Sequence, residues 1–372
     1  MKKTFAEVVL LARTGLNPRK NFKLGQGNNN YITIKNIKNN TLVIDENTDV
    51  VDDEAIKLIH KRSKIKKGDI LFASIGRMGD MYIIEDDPVG WDINESVFAF
   101  TLDTNIVRQK YFYYIFRVKS TLDYLASNSS GSTFKSIKMN QLKKMTFDIP
   151  PLEKQDQIVA TLDKVCNVIE MRKQELISLD DLIKARFVEM FGTLDNPAQK
   201  FEKATLKELC NKITDGKHGG CTSEEGTKRY FVGAREIYND EVHYDTAPEI
   251  NVDEFEKDYT RCNIEIGDFL IVNTGATIGK SAIASDERTE HTLLQKSVAL
   301  LKVKQELLNP MFLKWCYRVN TRMYMVESAS AQPNLLLSKI NATEIYVPDM
   351  KLQNQFADFV HQVNKSKFIR HY

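Results

Sequence analysis

The chain has 372 residues, 42% of them hydrophobic, with 52 basic against 50 acidic side chains. That length allows two or three domains with proper cores, and the near-neutral balance neither demands nor excludes a nucleic acid partner. No run of about 18 apolar residues marks a membrane span, and MKKTFAEVVLLARTG fails as a signal peptide because Glu7 interrupts its apolar patch and Arg13 follows it.

In chain order, residues 3–13 read as a short helix ended by Gly15. Residues 15–30 (GLNPRKNFKLGQGNNN) form a long hydrophilic loop. Residues 31–37 (YITIKNI) alternate as a strand. A basic run at 61–67 leads through Gly68-Asp69 into a strand at 70–73, a glycine turn at 74–79 and a strand at 81–84. A strand at 96–102, an aromatic helix over 109–125, a polar loop at 127–132 and a returning strand over 137–149 complete this part. Residues 149–191 then run without Gly, and without Pro after Pro151, until Gly192. Their apolar positions Ile158, Leu162, Val165, Ile169, Leu176, Leu179, Ile183 and Met190 fall at steps of three and four. Arg172 and Arg186 fill the two places where the run skips. This is the seam of a long helix that needs a partner helix.

After a linker at 193–199 the pattern returns. Leu206-Lys-Glu-Leu lines up with Phe5-Ala-Glu-Val, and Phe231-Val232 with Tyr31-Ile32. Ile266-Gly-Asp-Phe-Leu270 matches Lys67-Gly-Asp-Ile-Leu71, and Gly275 and Gly279 match Gly76 and Gly79. Lys296-Ser-Val298 matches Glu95-Ser-Val97. Val347-Pro348 followed by Gln353 and Gln355 matches Ile149-Pro150 followed by Gln155 and Gln157. A constant offset and a constant order mean a duplication. The second copy also ends in a helix, at 349–372, about half as long as the first and able to pair with it antiparallel.

Catalytic and cofactor motifs do not emerge. Gly275-Ala-Thr-Ile-Gly279-Lys-Ser281 has three residues between its glycines, where a phosphate-binding loop needs four. Methyl transfer to a DNA amine would call for Asn-Pro-Pro-aromatic, and only Ile149-Pro-Pro-Leu152 is present. Five scattered cysteines without a C-x-x-C pair support neither zinc nor a disulfide framework, and suit a cytoplasmic protein. The six histidines lack metal-ligand spacing. No cofactor, metal or catalytic residue is therefore assigned.

The loops instead carry side chains that hold phosphates and read base edges. In the first copy these are Arg19, Lys20, Lys35, Asn36, Lys38, Arg77, Ser132, Lys135 and Lys138. In the second they are Lys217, His218, Arg235, Asn273, Thr274, Lys280, Gln332 and Asn334. A solvated surface has the same composition; recurrence at matching loops favours DNA.

With the repeat and its helices in view, the chain resembles the specificity subunit of a type I restriction–modification enzyme. The resemblance rests on Lys67-Gly-Asp-Ile-Leu71 and Ile266-Gly-Asp-Phe-Leu270, on Asn94-Glu-Ser96 and Gln295-Lys-Ser297, and above all on Ile149-Pro-Pro-Leu-Glu-Lys-Gln-Asp-Gln-Ile158. It implies an α+β chain with two tandem α/β target recognition domains, 1–148 and 200–348, each reading half of a split DNA target. The helices at 149–192 and 349–372 would pair as an antiparallel coiled coil that spaces them. It also implies modification subunits, two of them, which methylate adenine with S-adenosylmethionine, and restriction subunits that translocate and cleave DNA. The specificity subunit itself would have no catalytic site. The short second helix departs from the family pattern: as a truncated partner it would leave the stretch from Leu176 to Phe191 for another segment or subunit. The rival readings are a fused adenine DNA methyltransferase and a protein-interaction scaffold.

Overall fold

The computed structural model describes all residues except 132–133, 325–333 and 370–372; Ser132 and Gln332 lie outside the described residues. The chain divides into two compact units, Met1–Glu170 and Met171–Tyr372.

The first unit is built on a four-stranded antiparallel sheet in the order Val9–Thr14, Val97–Leu102, Ile70–Ala73, Met81–Ile83. Ile70-Leu-Phe-Ala73 is buried along its whole length because both faces of the sheet are covered. Alternate residues supply two cores. Ile70, Phe72, Phe98 and Phe100 pack with Phe112, Phe116 and Phe147 on one side. Leu71, Val97 and Ala99 pack with Ile32, Ile37 and Ile93 on the other.

The second unit repeats this order with Cys210–Asp215, Val298–Val303, Phe269–Val272 and Ser281–Ile283. The alternation recurs, with Phe269 and Leu301 in one core and Leu270 and Leu300 in the other. Each unit also has a short parallel pair beside its sheet: Asn29–Ile32 with Trp91–Ile93, and Tyr230–Val232 with Thr292–Leu294.

The Gly-Asp turns have one physical cause. Gly68 and Gly267 take φ of 86° and 96°, which a side chain disfavours. The following Asp accepts from the backbone N–H three residues earlier, at 3.1 Å for Asp69 and 2.8 Å for Asp268. Both carboxylates are buried, so each keeps a cation. Arg13 serves Asp69 at 2.6 Å, while Lys302 serves Asp268 at 2.8 Å. The cation has moved to the neighbouring strand, and burial still leaves the Asp268 carboxyl above its ordinary range despite Lys302.

Several sequence expectations change. Residues 3–13 hold one helical turn, Phe5–Val8, before the chain becomes the strand Val9–Thr14. Ladder bonds to Val97–Leu102 outweigh the helical pattern there. The aromatic helix is two helices, Gln109–Ile115 and Lys119–Ser127. The return over 137–149 contains a helical turn, Met139–Leu142, before the strand Thr146–Asp148. The helix Asp53–Ser63, with Asp52 capping the Ala55 N–H at 2.8 Å, lies where the sequence reading places no element.

The long helix spans Leu152–Phe191. Gln155 at its start is fully buried: it accepts from the Arg108 N–H and donates to the carbonyls of Ile106 and Pro150. Gln353, at the start of the C-terminal helix Met350–Ile369, makes the same three bonds with Asn309, Leu307 and Pro348. The motif Pro-…-Gln thus fastens each helix to its own domain.

The C-terminal helix runs antiparallel to the second part of the long helix. Phe356 near its start meets Phe187 and Phe191, with ring centroids 5.2 and 5.7 Å apart. Lys367 near its end reaches Asp180 at 2.6 Å, and Arg172 donates to the Lys367 carbonyl. Residues 176–191 are therefore the partnered part, which corrects the expectation that they lack one. The C-terminal helix starts beside the end of the long helix, so it covers that end first. Of the predicted seam, Ile183 is buried, Leu176 and Leu179 are half-buried, Ile158 and Leu162 are half-buried, and Val165 and Ile169 are each 50% exposed. Phe187 and Phe191, one and two turns beyond Ile183, are the main anchors; the sequence register stepped to Met190 and missed them.

Candidate nucleic-acid interface

Five loop segments in each unit are stitched into one edge by backbone bonds. In the first unit the Gly15 N–H donates to Asn94 O at 3.1 Å, and the Asn94 N–H donates to Ile32 O at 2.8 Å. The Ser74 N–H reaches Ser96 O, the Ile137 N–H reaches Ser74 O, and the Gly76 N–H reaches Lys135 O. The loops at 15–30, 33–40, 74–80, 94–96 and 134–138 thus share one edge.

The second unit repeats the stitches. The Gln295 N–H donates to Val232 O, the Asn273 N–H to Ser297 O and the Leu335 N–H to Asn273 O. Gly15 and Gly216 sit where a Cβ would lie 1.6 Å from Ile93 O and 2.1 Å from Leu294 O, so neither tolerates a side chain. Asn94 Oδ1 accepts from the Ser96 N–H, the Ser96 hydroxyl and the Val97 N–H, which gives Asn-Glu-Ser its turn. In the second copy Ser297 donates to Gln295 and accepts from the Ala234 N–H.

The predicted residues separate into two groups on this edge. Arg19, Lys20, Lys35, Lys38, Lys135 and Lys138 in the first unit are exposed, with no ion pair among the described residues. Arg235 and Lys280 are their equivalents in the second. Arg77 is exposed and 3.6 Å from Asp80.

The others are engaged internally. Asn36 is buried; it accepts from the Thr33 N–H and hydroxyl and donates to Val43 O and the Thr48 hydroxyl. Glu236 holds the matching turn by accepting from the Gly233 N–H at 2.9 Å. Lys217 lies 2.6 Å from Asp258 and 3.4 Å from Glu254, and the Asp258 carboxylate holds its ammonium above the usual range. His218 is 3.4 Å from Asp215. Asn273 is buried, and Thr274 reaches the exposed Asn334 at 3.3 Å. Asn36, Asn273 and Lys217 are thus tied into their loops, while His218 and Asn334 stay exposed.

Two exposed residues on the edge escaped the sequence reading. Lys296 stands where the first copy has Glu95, and the Gln-Lys-Ser match pointed to it. Phe134, 70% exposed beside Lys135, had no signal beyond its polar surroundings.

The edges offer cations and amides. Among the described residues no group of three or more His, Cys, Asp or Glu gathers to hold a metal, and no helix is long and apolar enough to cross a membrane. Burial pushes the thiols of Cys210 and Cys262 up to about 12 and about 11, so they stay protonated at neutral pH.

Known proteins share the sequence pattern and the fold. Residues 1–180 and 198–370 each match the type I restriction modification DNA specificity domain. A stretch of 110 residues is 30% identical to the type I restriction enzyme MjaIX specificity subunit of Methanocaldococcus jannaschii, covering 30% of this chain and 25% of that one. A stretch of 104 residues is 31% identical to the putative type I restriction enzyme specificity subunit S.HindORF215P of Haemophilus influenzae, covering 28% and 26%. The match thus spans about a quarter of the length of these curated relatives. The solved S subunit of the type I restriction–modification system from M. genitalium covers 99% of this chain and 90% of its own, at a TM-score of 0.54 and 15% identity. A chain solved in work on complex assembly and conformational transition of the type I system covers 99% and 91%, at 0.56 and 16%. These two likenesses establish a shared fold. With both halves of the sequence matched by its domain, the chain belongs to the type I restriction–modification DNA specificity family.

Proposed function

We propose that this chain is the sequence-specific DNA-binding subunit of a type I restriction–modification complex. Each domain reads one half of a bipartite duplex target through its loop edge. The observation that carries this reading is the repeated edge. Matching stitches hold both edges, at Asn94 and Gln295 and at Ser74 and Asn273, and Gly15 and Gly216 approach matching carbonyls, while the side chains on display differ. One scaffold with two different displays is what two different half-sites require.

On this reading Arg19, Lys20, Lys35, Lys38, Lys135 and Lys138, and Arg235, Lys280 and Lys296, contact phosphates and bases. Asn36, Asn273 and Lys217 position the loops. The Leu152–Phe191 helix has 40 residues, about 60 Å of rise, and sets the gap between half-sites. The helices also dock two modification subunits, and restriction subunits complete a cytoplasmic complex that methylates and cleaves DNA. The specificity chain contributes recognition and no chemistry.

The test is genome-wide mapping of methylated adenines in the source organism with and without this gene. A bipartite motif that disappears with the gene is the expected result. An unchanged methylation pattern would contradict the proposal.

A further inference from the structure

The helix Asp53–Ser63 packs beside the first loop edge. Asn29 donates to Asp53 at 2.9 Å, and Gly27 lies against the backbone of Val51 and Asp52. A cleft of about 450 Å³ separates the helix from Asn21 and Phe22 of the 15–30 loop. A second, of about 490 Å³, lies on its other side, against Pro88 and Trp91. Lys57 and Lys61 line both clefts, and His60 lines the second.

The charges on this helix are ordered. Its acids lie in the first turn and are engaged there: Asp52 caps the helix and Asp53 holds Asn29. Its last two turns are basic. The Glu54–Lys57 pair, 3.0 Å apart with side chains 87% and 71% exposed, holds its lysine weakly. Behind His60 lies the buried Asp92 carboxylate, 3.0 Å from Nδ1, while His60 itself is 53% exposed. A carboxylate behind the ring fixes its orientation and leaves Nε2 for an outside partner.

Favourable alignment with the helix dipole would also place bases at a helix end. The second domain argues against that as the whole cause. Its matching helix, Val252–Tyr259, is capped in the same way by Asn251, yet carries Asp253, Glu254, Glu256 and Asp258 against the single Lys257. Glu256, Tyr259 and Thr260 stand at the places of Lys57, His60 and Lys61. Two of its acids are those that capture Lys217.

We propose that Lys57, His60 and Lys61 form a sequence-independent phosphate-contact ridge beside the first loop edge, with no counterpart in the second domain. The inference rests on the DNA-binding reading above. It makes the first domain the salt-sensitive anchor of the complex, and the second a reader with fewer ionic contacts.

The test uses the full chain, alone and in its assembled complex, with a random-sequence 40-base-pair duplex as probe. Affinity is measured across a salt series. Each lost phosphate contact makes the log–log slope shallower by about one. The double variant Lys57→Gln/Lys61→Gln should lower the slope by about two, and His60→Gln should weaken binding roughly threefold. Lys257→Gln should change nothing. An unchanged slope in the double variant, or an equal shift with Lys257→Gln, overturns the ridge while leaving DNA recognition intact. Absence of any duplex binding by the unaltered protein, alone and assembled, overturns the functional reading and the ridge together.

Discussion

The helix Asp53–Ser63 of the first domain and Val252–Tyr259 of the second occupy the same place in the repeat, and their charges are opposed. Elsewhere the two domains coincide in detail. Gln155 and Gln353 make the same three backbone bonds, and Gly15 and Gly216 meet the same kind of carbonyl. Buried bonds are costly to lose, because an orphaned polar group keeps its full desolvation penalty. Exposed charges cost little either way. A duplicated chain can therefore hold its frame fixed while the displays diverge. Even inside the frame some exchange is possible: the cation for the buried Asp69 comes from Arg13, and that for Asp268 from Lys302.

Changes to the frame should have the largest effects. Phe187→Ala removes a fully buried ring packed on Phe191, Phe312 and Phe356, and should cost about 3–5 kcal/mol. Hydrogen exchange should show that loss in Met171–Tyr372, with Met1–Glu170 retaining its protection; equal loss in both would break the division. Gly15→Val and Gly216→Val force a side chain into a carbonyl and should each cost about 3 kcal/mol in urea unfolding. If only one of them destabilises, the two edges are not built alike. Gln155→Ala and Gln353→Ala should each cost about 2 kcal/mol by leaving backbone groups unpaired. A difference above about 1 kcal/mol between them would show that the clamps carry unequal loads.

The smallest effect concerns the paired capping boxes. The backbone N–H and hydroxyl of Thr4, with Lys3 nearby, hold the Glu7 carboxyl down from 4.5 to about 2. Thr205 lowers Glu208 in the same way. A depressed carboxyl stabilises the fold above its ordinary value, and that contribution fades as pH falls from about 4.5 toward 2. Carboxyl NMR titration should find both below the usual range, and Glu7→Gln should remove the first domain's share of the acid sensitivity. A normal titration for either would show that its capping box is open in solution.

The parts of this fold legible from sequence were those governed by local pattern. Ile70–Ala73 and Phe269–Val272 are apolar runs after a Gly-Asp turn, and a run buried on both faces needs no distant information. Leu152–Phe191 announced itself by its length and its prolines. Val9–Thr14 did not, because its state is decided by a partner strand far along the chain. The direction of the helix pair was legible, but which part of the long helix it covers depends on where the C-terminal helix begins.

The site was half legible for a similar reason. Lys35 and Lys217 look alike in the sequence, and only the fold brings Asp258 to Lys217. Asn36 has the chemistry to read adenine but spends it on Thr33, Val43 and Thr48. Lys57, His60 and Lys61 share one face only because Asp53–Ser63 is a helix, which the sequence pattern does not mark.

The central claim is that each domain reads its own half of one DNA target. The most direct measurement is adenine methylation mapping in a strain whose copy of this gene carries Arg235→Ala and Lys280→Ala, both exposed on the second edge only. The account predicts a motif relaxed in one half, with the other half and the gap between them unchanged. A motif whose two halves relax together would contradict it.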